Sequence, residues 1–392
     1  MIPISAASTP TLPRAEQRLH QIARARHAVL HDGLSLPSGP SEPWIERSWR
    51  RCLALGQQPD ADLGFDLISK GDQRRTDEGN RVLVEAARPV MARLGLAIAD
   101  TRYFAILTNG AGVVVNVNGP IDRHDRRAEL ITRIGVDLSE TQVGTTAIGA
   151  ALTELAPIWL HRGEHFFDVN SHYSCAGAPL FGPDGRCIGM LDLTGIDAIE
   201  RPELKHMAIQ SARSIENALI PVYPAGLLIR LNWSASSLGC DTDGLIGVDH
   251  NGLVTGANPA ARQMVPTLAG AGAAPTHCSD VFALSPGMLF DAARQNELAY
   301  ARPIEVPLWS GLRLFALPTL QAAGRTSARS GTTTNTTAGF ASGLPVPLKE
   351  VETALIRNAV TAAKGNVMKA ARLLGVSRAT VYRRLGRGKK QA

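Results

Sequence analysis

The stretch GNVMKAARLLGVSRATVYRRL, Gly365–Leu385, reads as two short helices joined by a tight turn. Asn366 can cap the first, Val367 to Leu374, whose buried side would be Ala370, Ala371, Leu373 and Leu374. Gly375-Val376 makes the turn, because Gly tolerates the left-handed conformation. Ser377 caps the next helix, which runs to about Leu385. Val376, Val381 and Leu385 face inward there, leaving Arg378, Ala379, Thr380, Tyr382, Arg383 and Arg384 outward. An amphipathic helix precedes the pair, Leu348 to Ala363, with Leu348, Val351, Leu355, Ile356, Ala359 and Val360 on its apolar face. Small residues where helices approach, Gly in the turn and a short basic last helix are the layout of a helix-turn-helix.

Charge supports the same reading. From Thr353 to Ala392 there are ten Lys or Arg and no Asp or Glu, which leaves 31 basic against 35 acidic residues in the first 352. The positive excess of the whole chain therefore sits in its last forty residues, the footprint of a phosphate-binding module. Ser377, Arg378 and Thr380 open the last helix, with Arg378 and Thr380 placed to reach base edges in a major groove. Tyr382, Arg383, Arg384, Arg387, Lys389 and Lys390 complete the expected DNA contacts, the basic ones on phosphates.

Working back, Gln321 to Gly343 (QAAGRTSARSGTTTNTTAGFASG) is Ala, Gly, Ser and Thr with little else, a composition that cannot bury a core and reads as a flexible linker over 321–343. Before it, GLIGVD (244–249) and LVTGA (253–257) flank a His250-Asn251-Gly252 turn, and Asn258-Pro259 caps a helix through Met264. Two short strands follow within 303–318, so a small α/β domain is expected over 236–320. Pro221 and Pro224 separate it from a longer α+β stretch over 75–220. That stretch begins with a helix near Glu78–Ala99. Strands Tyr103–Thr108 and Val113–Val117 follow around Asn109-Gly110-Ala111-Gly112, and then a helix (147–155) and a strand (157–161). A hairpin of 175–180 with 186–193 turns at Gly182-Pro183-Asp184-Gly185. The closing helix, Arg201–Leu219, carries a near-heptad stripe of Leu204, Ala208, Ala212, Ile215 and Leu219, which suggests a subunit contact in a dimer. Residues 1–74 read as a loosely held helical lead-in, with helices near Arg14–Leu30 and Trp44–Leu55.

Composition excludes several classes. No apolar run reaches the length of a membrane span, and the first residues lack the apolar core of a signal peptide, so a cytoplasmic protein is expected. Five scattered cysteines without a CxxC pair give neither a disulfide framework nor a zinc site.

The segment GNVMKAARLLGVSRATVYRRL resembles the Fis-type DNA-binding domain that ends bacterial enhancer-binding regulators. The front of the chain resembles the acetoin-regulator branch of that group through Ser48-Trp49-Arg50-Arg51-Cys52, Gly135-Val136-Asp137-Leu138-Ser139-Glu140 and Val143-Gly144-Thr145-Thr146-Ala147-Ile148-Gly149. Gly163-Glu164-His165-Phe166, Ser174-Cys175-Ala176-Gly177-Ala178-Pro179 and Gly189-Met190-Leu191-Asp192-Leu193-Thr194-Gly195 extend the likeness. The resemblance implies a GAF-like sensor, an antiparallel sheet with helices, over 75–220. It also implies a PAS-like domain after Asp241, through Asp249, Asn251-Gly252 and Asn258-Pro259-Ala260-Ala261. The expected whole is a multidomain α+β protein ending in an all-α DNA-binding domain over 344–392. One departure is large. The group's ATPase module needs a GxxxxGK[ST] loop to cradle phosphates, and the lone Gly-Lys here, Gly388-Lys389, follows no strand. Binding and sensing are therefore expected without ATP hydrolysis, and without a cofactor.

In the sensor region His161, His165, His172 and Cys175 crowd together at irregular spacings of 4, 7 and 3, which form no metal motif. His165, His172, Cys175 and Asp192 are the candidate ligand contacts. Centring the hairpin on Pro183-Asp184 places Cys175 near Asp192 and Cys187 near Leu180, too far apart for a disulfide. The expected function is a transcription regulator that binds double-stranded DNA as a homodimer and answers a small-molecule or redox signal, with RNA polymerase or a full-length relative as further partners. The alternatives are a thiol-dependent reductase of the GAF type and a protein that grips an acidic partner without regulating transcription.

Overall fold

The computed structural model describes residues 14–35, 42–269, 276–298 and 301–321, together with Val360, Val367, Met368 and Ala371. The chain divides into two compact units, residues 1–326 and 327–392. In the first unit, helices α1 (Arg14–Leu30), α2 (Pro43–Ala54) and α3 (Lys70–Ala97) lead into β1 (Tyr103–Asn109) and β2 (Val114–Asn118). Helices α4 (Arg126–Ile131), α5 (Glu140–Val143) and α6 (Ala147–Glu154) are followed by β3 (Ile158–His161), β4 (Tyr173–Phe181), β5 (Cys187–Ile196) and α7 (Leu204–Leu219). A second set comprises β6 (Leu227–Asn232), β7 (Gly244–Val248), β8 (Val254–Ala257), α8 (Pro259–Met264), α9 (Cys278–Val281), α10 (Pro286–Leu298), β9 (Ile304–Pro307) and β10 (Arg313–Leu320).

Both sheets have five strands, ordered β2-β1-β5-β4-β3 and β8-β7-β6-β10-β9, and every pairing is antiparallel. The strand period of two divides the first sheet between two cores. Tyr103, Ala105 and Leu107 of β1 pack with α3 and α7, whereas Phe104 and Ile106 face the side of α2 and α6. The Asn109–Gly112 turn forms as read: Asn109 N donates to Val113 O at 2.9 Å, and its Oδ1 accepts from Ala111 N and Val113 N at 3.0 Å. Asn258 caps α8, accepting from Ala261 N at 2.8 Å.

Four expectations need correction. The stripe on α7 is no subunit contact: Leu204, Ala208, Ala212, Ile215 and Leu219 are each at most 4% exposed and are covered by the protein's own sheet and α3. An apolar stripe at heptad spacing serves a sheet as well as a partner helix, so periodicity could not tell them apart. The lead-in is not loosely held, and the boundary drawn at 74/75 falls inside α3. Val29 of α1 and Trp44, Ile45, Trp49 and Cys52 of α2 share one core with Ile106 and Cys175. Arg26 of α1 donates to the carbonyl oxygens of His165 and Phe166 and pairs with Asp168 Oδ1 at 2.6 Å.

The third concerns register. Cys175 pairs with Thr194 and Gly177 with Asp192, two residues along from the expected pairing of Cys175 with Asp192: one residue comes from the turn, which closes with Gly182 N on Arg186 O and pairs Phe181 with Cys187, and one from the ladder shift between Leu180 and Phe181. The fourth is β6, which the expected boundary at 236 cuts away. It is the central strand of the second sheet, Ile229 lying opposite Ile246 on one side and Pro318 on the other. Its burial alternates, with Leu227, Ile229 and Leu231 buried and Leu228 and Arg230 half covered, but Leu228 is as apolar as its buried neighbours, so LLIRLN shows no clear alternation in sequence just after two prolines.

The two sheets are joined by defined contacts. The carbonyl of Pro183, at the tip of the β4–β5 hairpin, accepts from Ala257 N at 2.9 Å and from Arg262 Nη2 at 2.6 Å. Asn258 Nδ2 donates to Asn217 Oδ1 of α7 at 2.7 Å. In the second unit Val360, Val367, Met368 and Ala371 are helical, with Ala371 buried and Met368 half exposed. The linker beyond Gln321 and the rest of 344–392 lie outside the described residues.

Candidate functional site

Strands β1, β4 and β5 turn one face towards α4, α5 and α6, and a cavity of about 30 Å³ lies between them. Ile106, Ile131, Leu138, Val143 and Ile148 make its apolar walls. Its polar edge comes from His165, Asn170, Tyr173, Cys175, Asp192 and Thr194. The register explains the grouping: Cys175 opposite Thr194 and Gly177 opposite Asp192 alternate onto the same face.

Within this edge the bonds have a direction. Thr194 Oγ1 donates to Asp192 Oδ2. His165 Nδ1 lies 2.8 Å from Arg162 O and must donate to it, which leaves Nε2 as an acceptor for the Cys175 thiol 3.7 Å away. Burial holds His165 down at about 4, so the ring is neutral. The same burial pushes the Asp192 carboxyl up to about 7 and raises the Cys175 thiol. A thiol kept protonated in an apolar setting is inert as a nucleophile. Cys187, opposite Phe181, lies seven residues along β5 from Thr194, the partner of Cys175, or about 23 Å along the ribbon. The geometry thus speaks against the reductase alternative.

Three of the four expected ligand contacts, His165, Cys175 and Asp192, come together. His172 does not: it is half exposed, with Nδ1 3.0 Å from Asp197 Oδ1, and Arg127 and Arg162 hold the same carboxylate at 2.8 and 3.1 Å. That surround keeps Asp197 at about 2. The residue that reasoning from sequence missed is Asn170. It is fully buried between the 167 turn and α5, where Nδ2 donates to Val143 O at 3.2 Å. Its place before Ser171-His172, in a run without periodicity, carried no signal.

The Ser48–Cys52 run and the runs within 135–149 are two halves of one clamp behind the cavity. Ser48 Oγ donates to Glu140 Oε2 at 2.8 Å and lies 2.7 Å from Thr145 Oγ1. Arg51 binds Glu140 with both arms of its fork and reaches Glu154 at 3.0 Å. Trp49 Nε1 donates to Glu164 O at 2.9 Å. Gly149 is required here, because a Cβ would stand 2.8 Å from Glu140 Cβ; Gly144, at φ +66°, adopts a conformation that side chains resist and lies against Phe167. The clamp fixes the 139–149 segment, whose Val143, Thr146, Ala147 and Ile148 line the cavity.

Among the described residues no group of three or more His, Cys, Asp or Glu is arranged to hold a metal ion, and no helix is long and apolar enough to cross a membrane. The expected DNA contacts, Ser377, Arg378, Thr380, Tyr382, Arg383, Arg384, Arg387, Lys389 and Lys390, lie outside the described residues.

Residues 347–388 match the model of the bacterial regulatory proteins of the Fis family. Residues 20–217, just over half of the chain, match the MimR N-terminal domain, and the chain belongs to that family. The signal-transduction and transcriptional-control protein of Clostridium beijerinckii is 27% identical over 225 residues, 56% of this chain and 35% of that protein. The acetoin catabolism regulatory protein of Cupriavidus necator is 27% identical over 271 residues, 67% of this chain and 40% of its own length. The chain thus spans well under half the length of these relatives. Among solved structures, the complex of DhaR(N) with DhaL from E. coli covers 72% of this chain and 100% of its own, at 14% identity and a TM-score of 0.43.

Proposed function

We propose that this chain is a sequence-specific DNA-binding regulator of transcription whose front half senses a small molecule. The observation that carries the reading is the coincidence of the Fis-family match at 347–388 with the segment that holds the whole positive excess of the chain. In this reading the first sheet, with the helices on both its faces, is a GAF-like sensor and its cavity the ligand site. The second sheet is a PAS-like module, and the DNA-binding domain of 344–392 acts beyond a tether over 321–343. The chain works in the cytoplasm as a homodimer on a two-fold operator, through contacts other than the α7 stripe.

No stretch of this sequence offers a phosphate-cradling loop, so the chain itself neither binds nor hydrolyses ATP. Control comes from occupancy: recruiting polymerase, blocking it, or competing with a longer relative for shared sites. Ligand acts by changing how often two tails are held together, which raises effective concentration without rigid coupling.

The test is a gel shift with DNA from upstream of its own gene, repeated across salt concentrations. If about five cations meet phosphates, log K falls with log salt at a slope of roughly −4 to −5 per monomer. A complex indifferent to salt, or no complex at all, rejects the reading in favour of a protein-binding tail.

A further inference from the structure

A wider cleft, of about 260 Å³, opens where α7 meets the second sheet and its helices. It is lined by Arg213, Trp233, Thr242, Ala260, Gln263 and Met264. Arg213 comes from α7; Trp233 follows β6, Thr242 precedes β7, and the other three lie on α8. The junction beside the cleft is fixed. Ser214 Oγ donates to Asp241 Oδ2 at 2.7 Å, Asn217 Nδ2 to Asp241 O at 2.9 Å, and Asn258 Nδ2 to Asn217 Oδ1 at 2.7 Å. Arg213 and Asn217, one turn apart, share a face of α7, and Ala260, Gln263 and Met264 share a face of α8. The polar groups of the cleft are uncommitted. Among the described residues, the side chains of Arg213, Trp233, Thr242 and Gln263 make no hydrogen bond or ion pair. Glu216, one turn beyond Arg213, accepts instead from Phe181 N at 2.9 Å, and Asp241 takes Ser214. A free guanidinium, a half-exposed indole and a thioether therefore border one open space.

We infer that this cleft binds a small aromatic carboxylate, with the carboxylate on the Arg213 fork and the ring against Trp233 and Met264. The charge follows from the donors. A guanidinium matches a carboxylate with two parallel bonds, and Thr242 and Gln263 offer further donors. A single cation, with Asp241 held on the adjacent Ser214, suits one negative charge and disfavours a phosphate dianion. The ring follows from the walls, because an indole and a polarisable thioether both favour a flat π-face over a saturated ring. Size follows from the volume, which falls just short of the roughly 300–1,000 Å³ that drug-sized ligands fill, so a single ring with its carboxylate fits. A ligand held there braces α7 against α8. The proposal is independent of the smaller cavity and of DNA binding.

The experiment titrates benzoate, cyclohexanecarboxylate, benzyl alcohol and inorganic phosphate into the full chain by ligand-observed NMR. Salt is held at about 0.15 M, which screens loose pairing with the basic tail. Ligands this small bind weakly, so the titration extends to about ten millimolar. Benzoate should bind, and each comparator at least about fivefold more weakly. Arg213→Gln removes the charge and should weaken benzoate about tenfold, with benzyl alcohol unaffected. Trp233→Leu removes the flat wall and should weaken benzoate about fivefold, with cyclohexanecarboxylate nearly unchanged. Thr242→Glu places a negative charge at the cleft from an exposed turn, where folding is unaffected, and should also weaken benzoate about tenfold. Absence of benzoate binding, equal binding of any comparator, or an affinity for benzoate unchanged in Arg213→Gln and Thr242→Glu overturns the inference.

Discussion

Arg51 of α2 and Glu140 of α5, 89 positions apart in sequence, meet in a two-pronged ion pair, Nε to Oε1 at 2.6 Å and Nη2 to Oε2 at 3.0 Å. Glu140 Oε2 also accepts from Ser48, which is wholly buried. One carboxylate thus satisfies a guanidinium and a hydroxyl at the seam between the lead-in helices and the wall of the cavity.

Arg51→Lys should therefore be far from conservative. A lysine keeps the charge but loses the fork and the reach to Glu154, and we expect a loss of about 1–3 kcal/mol in denaturant unfolding. Glu140→Ala leaves Arg51 and Ser48 without their shared partner and should cost about 3–5 kcal/mol. The coupling of the two positions in a double-mutant cycle is the decisive number, and a value near zero would show the clamp to be idle.

The α7 stripe gives a prediction of opposite kind to the one its sequence suggests. Ile215 is completely buried against the sheet. Ile215→Ala should lower stability by about 2–5 kcal/mol, the usual range for emptying a core site. The sedimenting mass of the folded protein should not change. A stable variant that falls apart into smaller species would return the stripe to a subunit interface.

These two cases mark what the sequence made legible. Local signals were dependable: the Asn109–Gly112 turn, the Pro183-Asp184 turn, the Asn258 cap and the boundaries of α1, α2 and α6 followed from residue chemistry over a few positions. What stayed hidden depends on partners far along the chain. The face that α7 covers and the place of β6 in the middle of a sheet are products of tertiary packing. The candidate site was half legible for the same reason. His165, Cys175 and Asp192 stood in quotable runs, and centring the hairpin already brought Cys175 near Asp192, but nothing in the sequence shows that His172 turns to Asp197.

Glu216 offers a pH test. It is 6% exposed on α7, accepts from Phe181 N at 2.9 Å, and is pushed by burial from 4.5 to about 7. Below about pH 4.5 it is protonated in both folded and unfolded chains and has no effect. Between about 4.5 and 7 the unfolded chain releases the proton first, so stability falls as pH rises, and above 7 the full penalty is present. Glu216→Gln keeps the acceptor and removes the ionisation. Its stability relative to wild type should rise with pH across that window and level off above it, reaching about 1–3 kcal/mol. The background from Asp192 and Glu164, also raised to about 7, cancels in the difference. A difference flat between pH 5 and 8 would mean that Glu216 ionises freely.

The last prediction separates reading from gripping in the tail. Arg378 follows the Ser377 cap of the expected recognition helix, where a side chain reaches base edges, whereas Lys389 lies past its end among Arg387 and Lys390. A guanidinium on a guanine edge distinguishes one base pair from another; an ammonium on phosphate does not. Arg378→Ala should cost about 1–3 kcal/mol on the operator and much less on random DNA, relaxing choice at one or two base pairs. Lys389→Ala should weaken both DNAs alike and lower the salt slope by about one. Competition titrations of each variant against operator and random duplexes, at two salt concentrations, measure all four quantities. If Arg378→Ala weakens both duplexes equally, the helix is misplaced and base readout belongs to other residues of 344–392. If Lys389→Ala loses affinity on the operator alone, the tail reads sequence, and the division between the two groups fails.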